Sequence, residues 1–157
     1  MGDFEARFGG PVPAELDRNL TEAARLYADK PRAEALMLNA LQRDSECLPT
    51  YFALYKFYFY SRRLADAERM VLQALETAAR QAAISSDWPT LTPDSAAWQD
   101  TAGPAHFYLF SLKALAFIRL RLGRPQEAAA LLAKLAELDS FDGVGASVVR
   151  SLAAATA

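Results

Sequence analysis

"PRAEALMLNALQRDSE" at residues 31–46 and "LADAERMVLQALETAA" at residues 64–79 share a spacing that decides how this chain folds. Ala33 recurs as Ala67 and Ala40 as Ala74, each 34 positions on, inside segments that otherwise differ. In both segments an apolar residue stands four after the first alanine, Met37 and Val71, and a leucine follows the second. Apolar residues three and four apart mark an amphipathic helix, and small residues recur where two helices must touch closely. A third window, "PQEAAALLAKLAELDS" at residues 125–140, repeats the pattern with Ala128 and Leu132, and has Leu135 where the other two have alanine.

With "LGR" (Leu122, Gly123, Arg124) before the third window and "LDS" (Leu138, Asp139, Ser140) after it, these residues resemble the tetratricopeptide repeat (TPR) family. Its unit is a 34-residue helix-turn-helix. Tyr51, Leu54 and Tyr58 match the aromatic, the leucine and the later tyrosine of the family's first helix, whereas Ser45, Ala79 and Ser140 replace its closing proline. The resemblance implies an all-α fold, with about three degenerate antiparallel helix-turn-helix repeats and a capping helix stacked as a short right-handed superhelix of about seven helices.

Composition agrees with a helical reading. The 157 residues are 52% apolar and 23% charged, and leucine and alanine, which lose little side-chain entropy in a helix, dominate the apolar set. A net charge of -2 and a pI near 5.4 lack the electrostatic footprint of nucleic-acid binding. Cys47 is the only cysteine, which excludes an intramolecular disulfide and a cysteine-based zinc site and fits a reducing cytoplasm. The start "MGDFEARFGG" does not read as a secretory signal, and Ala6 stands where a myristoylation motif at Gly2 wants Ser or Thr. "LFSLKALAFIRLRLG" comes closest to a membrane span but is interrupted by Lys113, Arg119 and Arg121.

Residues 1–12 run into "GGPVP" (residues 9–13) and read as an irregular arm, mobile or docked, in which Phe4 and Phe8 are the apolar groups available to pack. A single helical domain over residues 13–155 follows. Its first helix is expected from about Pro13 to Ala28, with Leu16, Leu20, Ala23, Ala24 and Tyr27 at helical spacing. Pro31, Pro49, Pro104 and Pro125 mark the starts of later helices, because a proline's missing amide would be unpaired there anyway. Helices are expected over about 48–61, 64–83, 104–122 and 125–138. "ASVVRSLAAA" follows as a cap with Val148, Val149 and Leu152 facing inward.

The register breaks once. Ala67 and Ala128 are 61 positions apart, 27 more than one period, so an insertion lies near Arg80 to His106, centred on residues 84–103. It carries Trp88 and Trp98, and exposing both would forfeit roughly 2 to 3 kcal/mol of apolar burial each, so it is expected to pack on the body. Thr92, Pro93 and Asp94 resemble a cap, first-turn proline and first-turn acid, which predicts a short helix to about Gln99.

The densest signal is "YFALYKFYFY", with seven aromatics among Tyr51 to Tyr60. Tyr51, Leu54, Tyr55 and Tyr58 form a seam toward the next helix, and Phe52, Lys56, Phe59, Tyr60 and Arg63 form an opposite stripe that its own repeat cannot bury. In TPR proteins the first helices of successive repeats line a concave groove that receives a peptide. The resemblance places on that groove Arg18, Glu22 and Arg25, then Phe52, Lys56, Phe59 and Tyr60, then Phe110, Lys113, Phe117 and Arg121. It implies a non-catalytic interaction module whose protein partner offers an acidic or apolar segment. The alternative readings are a self-occluded scaffold that works through homo-oligomerisation, as a homodimer, with Trp88 and Trp98 filling a groove, or a pocket for a small ligand or reaction closed by the insertion.

The family's carboxylate-clamp subclass uses paired lysines and asparagines. Lys56 and Lys113 are cations in suitable places, but Asn19 and Asn39 are the only asparagines and neither is in the third repeat. His106, the only histidine, reads as a first-turn residue or a clamp on the insertion rather than a general base, and Cys47 as a small buried hydrophobe. Asp17, Glu22, Glu34, Asp66, Glu68, Glu76 and Glu127 read as solvated helix faces, with no metal-ligating spacing. No catalytic constellation, metal site or cofactor is called for.

Overall fold

The computed structural model describes residues 4–155, with side chains from Arg7 onward, so the expectations for Phe4 and Gly2 lie outside it. Among the described residues the chain is all-α apart from an N-terminal hairpin. The helices are α1 (Ala14–Arg25), α2 (Lys30–Arg43), α3 (Leu48–Tyr60), α4 (Leu64–Ala82), α5 (Pro104–Arg121), α6 (Pro125–Leu138) and α7 (Ala146–Ala155). Short turns fold α1 on α2, α3 on α4 and α5 on α6 as antiparallel pairs. Each pair packs on the next, α3 touches α5 and α5 touches α7, so α3, α5 and α7 share one side of the stack. No described helix is long and apolar enough to cross a membrane.

The 34-residue recurrence is a recurrence of burial. Ala33, Ala67 and Ala128 are fully buried, as are Ala40, Ala74 and Leu135, and Met37, Val71 and Leu132 are buried at the matching third position. A recurrence that composition did not suggest accompanies it. Glu34 of α2 accepts hydrogen bonds from the Tyr58 hydroxyl (2.7 Å) and from Arg63 (2.7 and 3.1 Å). Glu68 of α4, 34 positions on, accepts from Arg119 (3.0 Å) and Arg124 (2.7 and 3.3 Å). Arg63 and Arg124 cap the starts of α4 and α6 and, like Tyr58 and Arg119, are 61 positions apart, the period plus the insertion. Each pair of helices is therefore tied to the one before it by the same clamp, and these two glutamates, like Asp17, which holds Arg7 at 2.5 Å, are not the solvated groups the sequence suggests.

The turns repeat as well. Arg62 (φ 61°) and Gly123 (φ 78°) both take the left-handed conformation after a first helix. In each turn the following N–H returns to a helix carbonyl, Arg63 to Tyr58 and Arg124 to Arg119, both at 2.9 Å.

Several local expectations are corrected. The arm is a hairpin in which β1 (Phe4–Arg7) pairs antiparallel with β2 (Gly10–Pro13), from Phe4 opposite Pro13 to Arg7 opposite Gly10. Gly9 at φ 104° makes the tight turn, and a Cβ there would lie 3.0 Å from the Phe107 ring and 3.2 Å from the backbone of Pro49. Only glycine lets the turn rest so closely on α3 and α5. The first helix ends at Arg25, and Tyr27 lies in the tightened turn beyond it, half-exposed, with the Lys30 ammonium 3.4 Å from its ring centre. Lys30, not Pro31, is the first residue of α2.

Within the insertion, the helix expected from Pro93 is absent. The Ser95 hydroxyl accepts from the Thr92 N–H (2.9 Å) and the Thr92 hydroxyl from Asp94 N–H (3.3 Å), so side-chain oxygens close a turn in place of a helical one. A single 3-10 turn forms instead at Trp88–Thr90. The segment packs on the body as expected. Trp98 is buried with its indole N–H on the Thr92 carbonyl (3.0 Å), its ring 6.4 Å from that of Tyr108 of α5, and Lys134 of α6 holds the Leu91 carbonyl at 2.8 Å.

Candidate functional site

Helix α3 has two apolar faces because its sequence is apolar nearly all round. One face buries Tyr51, Leu54, Tyr55 and Tyr58, as the spacing predicts, and Phe57 is buried apart from it, toward the preceding pair, its ring 5.7 Å from that of Tyr27. Tyr55 sets the depth of the floor, its hydroxyl 3.2 Å from that of Ser111 on α5, and its burial among apolar groups pushes the phenol far above its ordinary pKa.

The other face of α3 opens onto a groove of about 490 Å³ whose walls are α3, α5 and α7. Seven of the residues placed there from the sequence come together: Phe52, Lys56, Phe59, Tyr60, Phe110, Lys113 and Phe117. The helices lie in parallel register, Phe52 against Phe110 (ring centres 5.8 Å apart) and Phe59 against Phe117 (5.2 Å). Tyr55, Ala114, Ile118, Gly145, Val148, Val149 and Leu152 complete the lining, which contains no carboxylate among the described residues.

The cap differs from expectation. Of Val148, Val149 and Leu152, only Val149 is buried, with Ala146; Val148 and Leu152 are 65% and 44% exposed and face the groove. Residues four apart on one helix face point the same way, so the helix that closes the stack also forms a wall of the cleft. Its position is fixed by the preceding loop, where Asp139 accepts from the N–H groups of Gly143 (2.8 Å) and Val144 (3.0 Å) and Asp142 holds Ser147. The "LDS" match at 138–140 thus has a local role.

The cations differ in kind. Lys113 donates to the Val144 carbonyl at 2.6 Å and lies 4.2 Å from the Phe110 ring centre, and burial lowers its pKa against the pull of Asp142 and Asp139. It anchors the loop before α7. Lys56 and Arg121 meet only ring faces among the described residues, Lys56 at 5.6 Å from Phe52 and Arg121, an expected groove residue that stands outside the lining, at 5.9 and 6.0 Å from Phe59 and Phe117.

Three expected groove residues of α1 are not there. Arg25 and Glu22 pair with each other at 2.5 Å, and Arg18 lies on a separate polar surface beside Asp17 and Thr21. They stand on the opposite face of α1 from Leu20 and Ala23, which turn toward α3, and β2 packs against both helices. Phe8 at the hairpin turn seats between Phe52 (4.8 Å) and Phe110 (4.5 Å), and a smaller cleft of about 330 Å³ between α1 and α3 lies on its far side. The arm therefore fills one end of the concave surface. The insertion fills none of it, since neither Trp88 nor Trp98 lines the groove, and Arg63 of the α3 stripe turns away to Glu34 and Asp66.

The remaining candidates take structural places. The Asn19 amide donates to the Asn39 side chain (3.0 Å), tying α1 to α2. Cys47 is buried just before α3, and that burial raises its thiol pKa. His106 lies in the first turn of α5, its ring 6.3 Å from that of Phe8 rather than against the insertion tryptophans. No cluster of three or more metal-ligating side chains occurs among the described residues.

No protein-family model matches the chain, and no solved structure matches it. A protein of Azotobacter chroococcum mcd 1, described as "Uncharacterized 19.8 kDa protein in nifW 5'region", is 29% identical over 154 residues, spanning 95% of this chain and 85% of that protein.

Proposed function

We propose that this chain is a non-catalytic, TPR-like protein–protein interaction module, cytoplasmic, which docks a peptide segment in the aromatic and basic groove between α3, α5 and α7. The observation that carries the reading is the lining: six aromatic rings and two lysines, with no carboxylate among the described residues, around an open cleft of about 490 Å³ that the insertion leaves free and that Phe8 of the hairpin turn meets only at its Phe52–Phe110 end. Exposed apolar surface beside unmatched cations calls for an occupant that is apolar and negative. Rigid rings supply anchors at low entropic cost, and cations set orientation.

Selection of an unbiased library of displayed short peptides on the purified protein tests this. Enriched peptides should lose binding to Phe117→Ala and to Lys56→Glu while retaining their affinity for Arg18→Glu. Peptides that bind all variants alike, or no enrichment, would overturn the reading.

A further inference from the structure

The groove contains two aromatic rungs, and the chain fills only one of them. Phe52 with Phe110 forms the first rung and Phe59 with Phe117 the second. The partners on each helix are seven residues apart, two turns or about 10.5 Å along the axis. Phe8 seats its ring on the first rung at 4.8 and 4.5 Å, and it comes from a hairpin turn, so this surface already holds an aromatic side chain delivered by non-helical backbone. Val148 and Leu152 of α7, both exposed, line the same groove.

The charges bracket the second rung. Lys56 precedes Phe59 by three residues and Arg121 follows Phe117 by four, placing them about 4.5 Å before and about 6 Å after the rung along the helix axes. Neither has a carboxylate partner among the described residues, whereas Lys113, four residues before Phe117 and so on the same side of the rung as Lys56, is committed to the Val144 carbonyl. An extended chain advances about 3.3 Å per residue, so those offsets correspond to one or two residues on either side of an anchor.

Building on the docking reading above, we infer that the segment bound here is short and non-helical. It seats one aromatic side chain on Phe59 and Phe117 and carries a carboxylate within two residues on each side, one toward Lys56 and one toward Arg121. Phe8 is the internal counterpart of that anchor. It lacks the flanking acids because Lys56 and Arg121 lie along the groove beyond it, and Arg7 beside it is held by Asp17 and Thr21 instead.

The test uses a fluorescein-labelled peptide of sequence Gly-Glu-Ser-Phe-Ser-Glu-Gly, a version with both glutamates changed to lysine, and a version with phenylalanine changed to alanine, each titrated by anisotropy. The glutamate peptide should bind the wild type about tenfold tighter than either version. Phe117→Ala should lose about the same factor, and Lys56→Glu with Arg121→Glu, both solvent-facing and checked for unchanged melting, should reverse the charge preference. Equal binding of the glutamate and lysine peptides, an unreversed order in the charge-swapped protein, or no binding at millimolar peptide would overturn the motif. Library-selected peptides that need Phe117 but show no acidic flanks would overturn this motif and leave the docking reading standing; selection that never depends on the groove would overturn the docking reading itself.

Discussion

Replacing Glu68 by Gln should unfasten the second inter-repeat clamp. The Glu68 side chain is 14% exposed and that of Arg119 17%, so the substitution leaves a half-buried guanidinium facing a neutral amide, a loss of about 2 kcal/mol. Arg124 is 43% exposed, and solvent reduces its share to about 0.5 kcal/mol. The expected total, about 2.5 kcal/mol, corresponds to a melting point lower by about 5 to 10 °C for a chain of this size. Burial pushes the Glu68 carboxyl up, but the bonds from Arg119 and Arg124 outweigh it, and its pKa in the folded protein lies below the ordinary 4.5. A depressed carboxylate contributes stability that is complete above its unfolded value and lost as pH falls through the folded one. The difference between wild type and Glu68→Gln, measured by urea unfolding, should therefore be largest near neutral pH and shrink below about pH 4.5. Glu127, exposed and 3.5 Å from Arg124, serves as control, and its Gln variant should cost less than about 0.5 kcal/mol. A Glu68→Gln loss no larger than the control, or one that stays the same in acid, would refute the clamp.

Arg62 occupies the left-handed position that Gly123 occupies one repeat later, so Arg62→Gly should stabilise the fold by about 1 kcal/mol and Gly123→Ala should destabilise it by a similar amount, both read from urea midpoints. Ala74→Leu and Leu135→Ala exchange the residues found at equivalent buried places. The first should cost about 1 to 3 kcal/mol by overpacking and the second about 2 to 5 by leaving a cavity, and calorimetry showing either to be neutral would contradict the packing described. Trp98→Ala removes a buried ring and a hydrogen bond to Thr92, with an expected loss of about 3 to 5 kcal/mol; because the insertion lies away from the groove, any selected peptide should keep its affinity for the fraction that remains folded.

The helices and their pairing were legible because small and apolar residues recur at a period set by the helix-turn-helix unit, and the structure buries each set at the same depth. The turns and clamps were less so. An arginine in a left-handed turn resembles its glycine counterpart only in backbone, and Glu34 and Glu68 look like any solvated helix acid until donors 29 and 51 residues away are placed against them. The α3 residues of the groove were readable from helical spacing, because a helix with apolar residues on two faces must present one of them beyond its own repeat; those of α5 are placed there only by what the resemblance implies. The loss of Arg18 and Arg25 from the site was not readable, since it depends on which face of α1 turns toward α3. Nor was the placing of Val148 and Leu152, because a period identifies an amphipathic cap but not which neighbour its apolar edge meets. Signals for two of these were present: Glu34 and Glu68 stand one period apart, and Gly9 and Gly10 between short β-capable runs are a hairpin signature.

The central claim is that the open end of the groove, at Phe59 and Phe117, receives a partner segment. Methyl NMR spectra of the protein titrated with the glutamate-flanked peptide test it most directly. The account predicts that the resonances of Ile118, Val148 and Leu152 shift together and saturably, while those of Leu91 in the insertion and Leu36 on α2 stay in place. Shifts centred on Leu91 or Leu36, or none at Ile118, Val148 and Leu152 while the peptide binds, would contradict it.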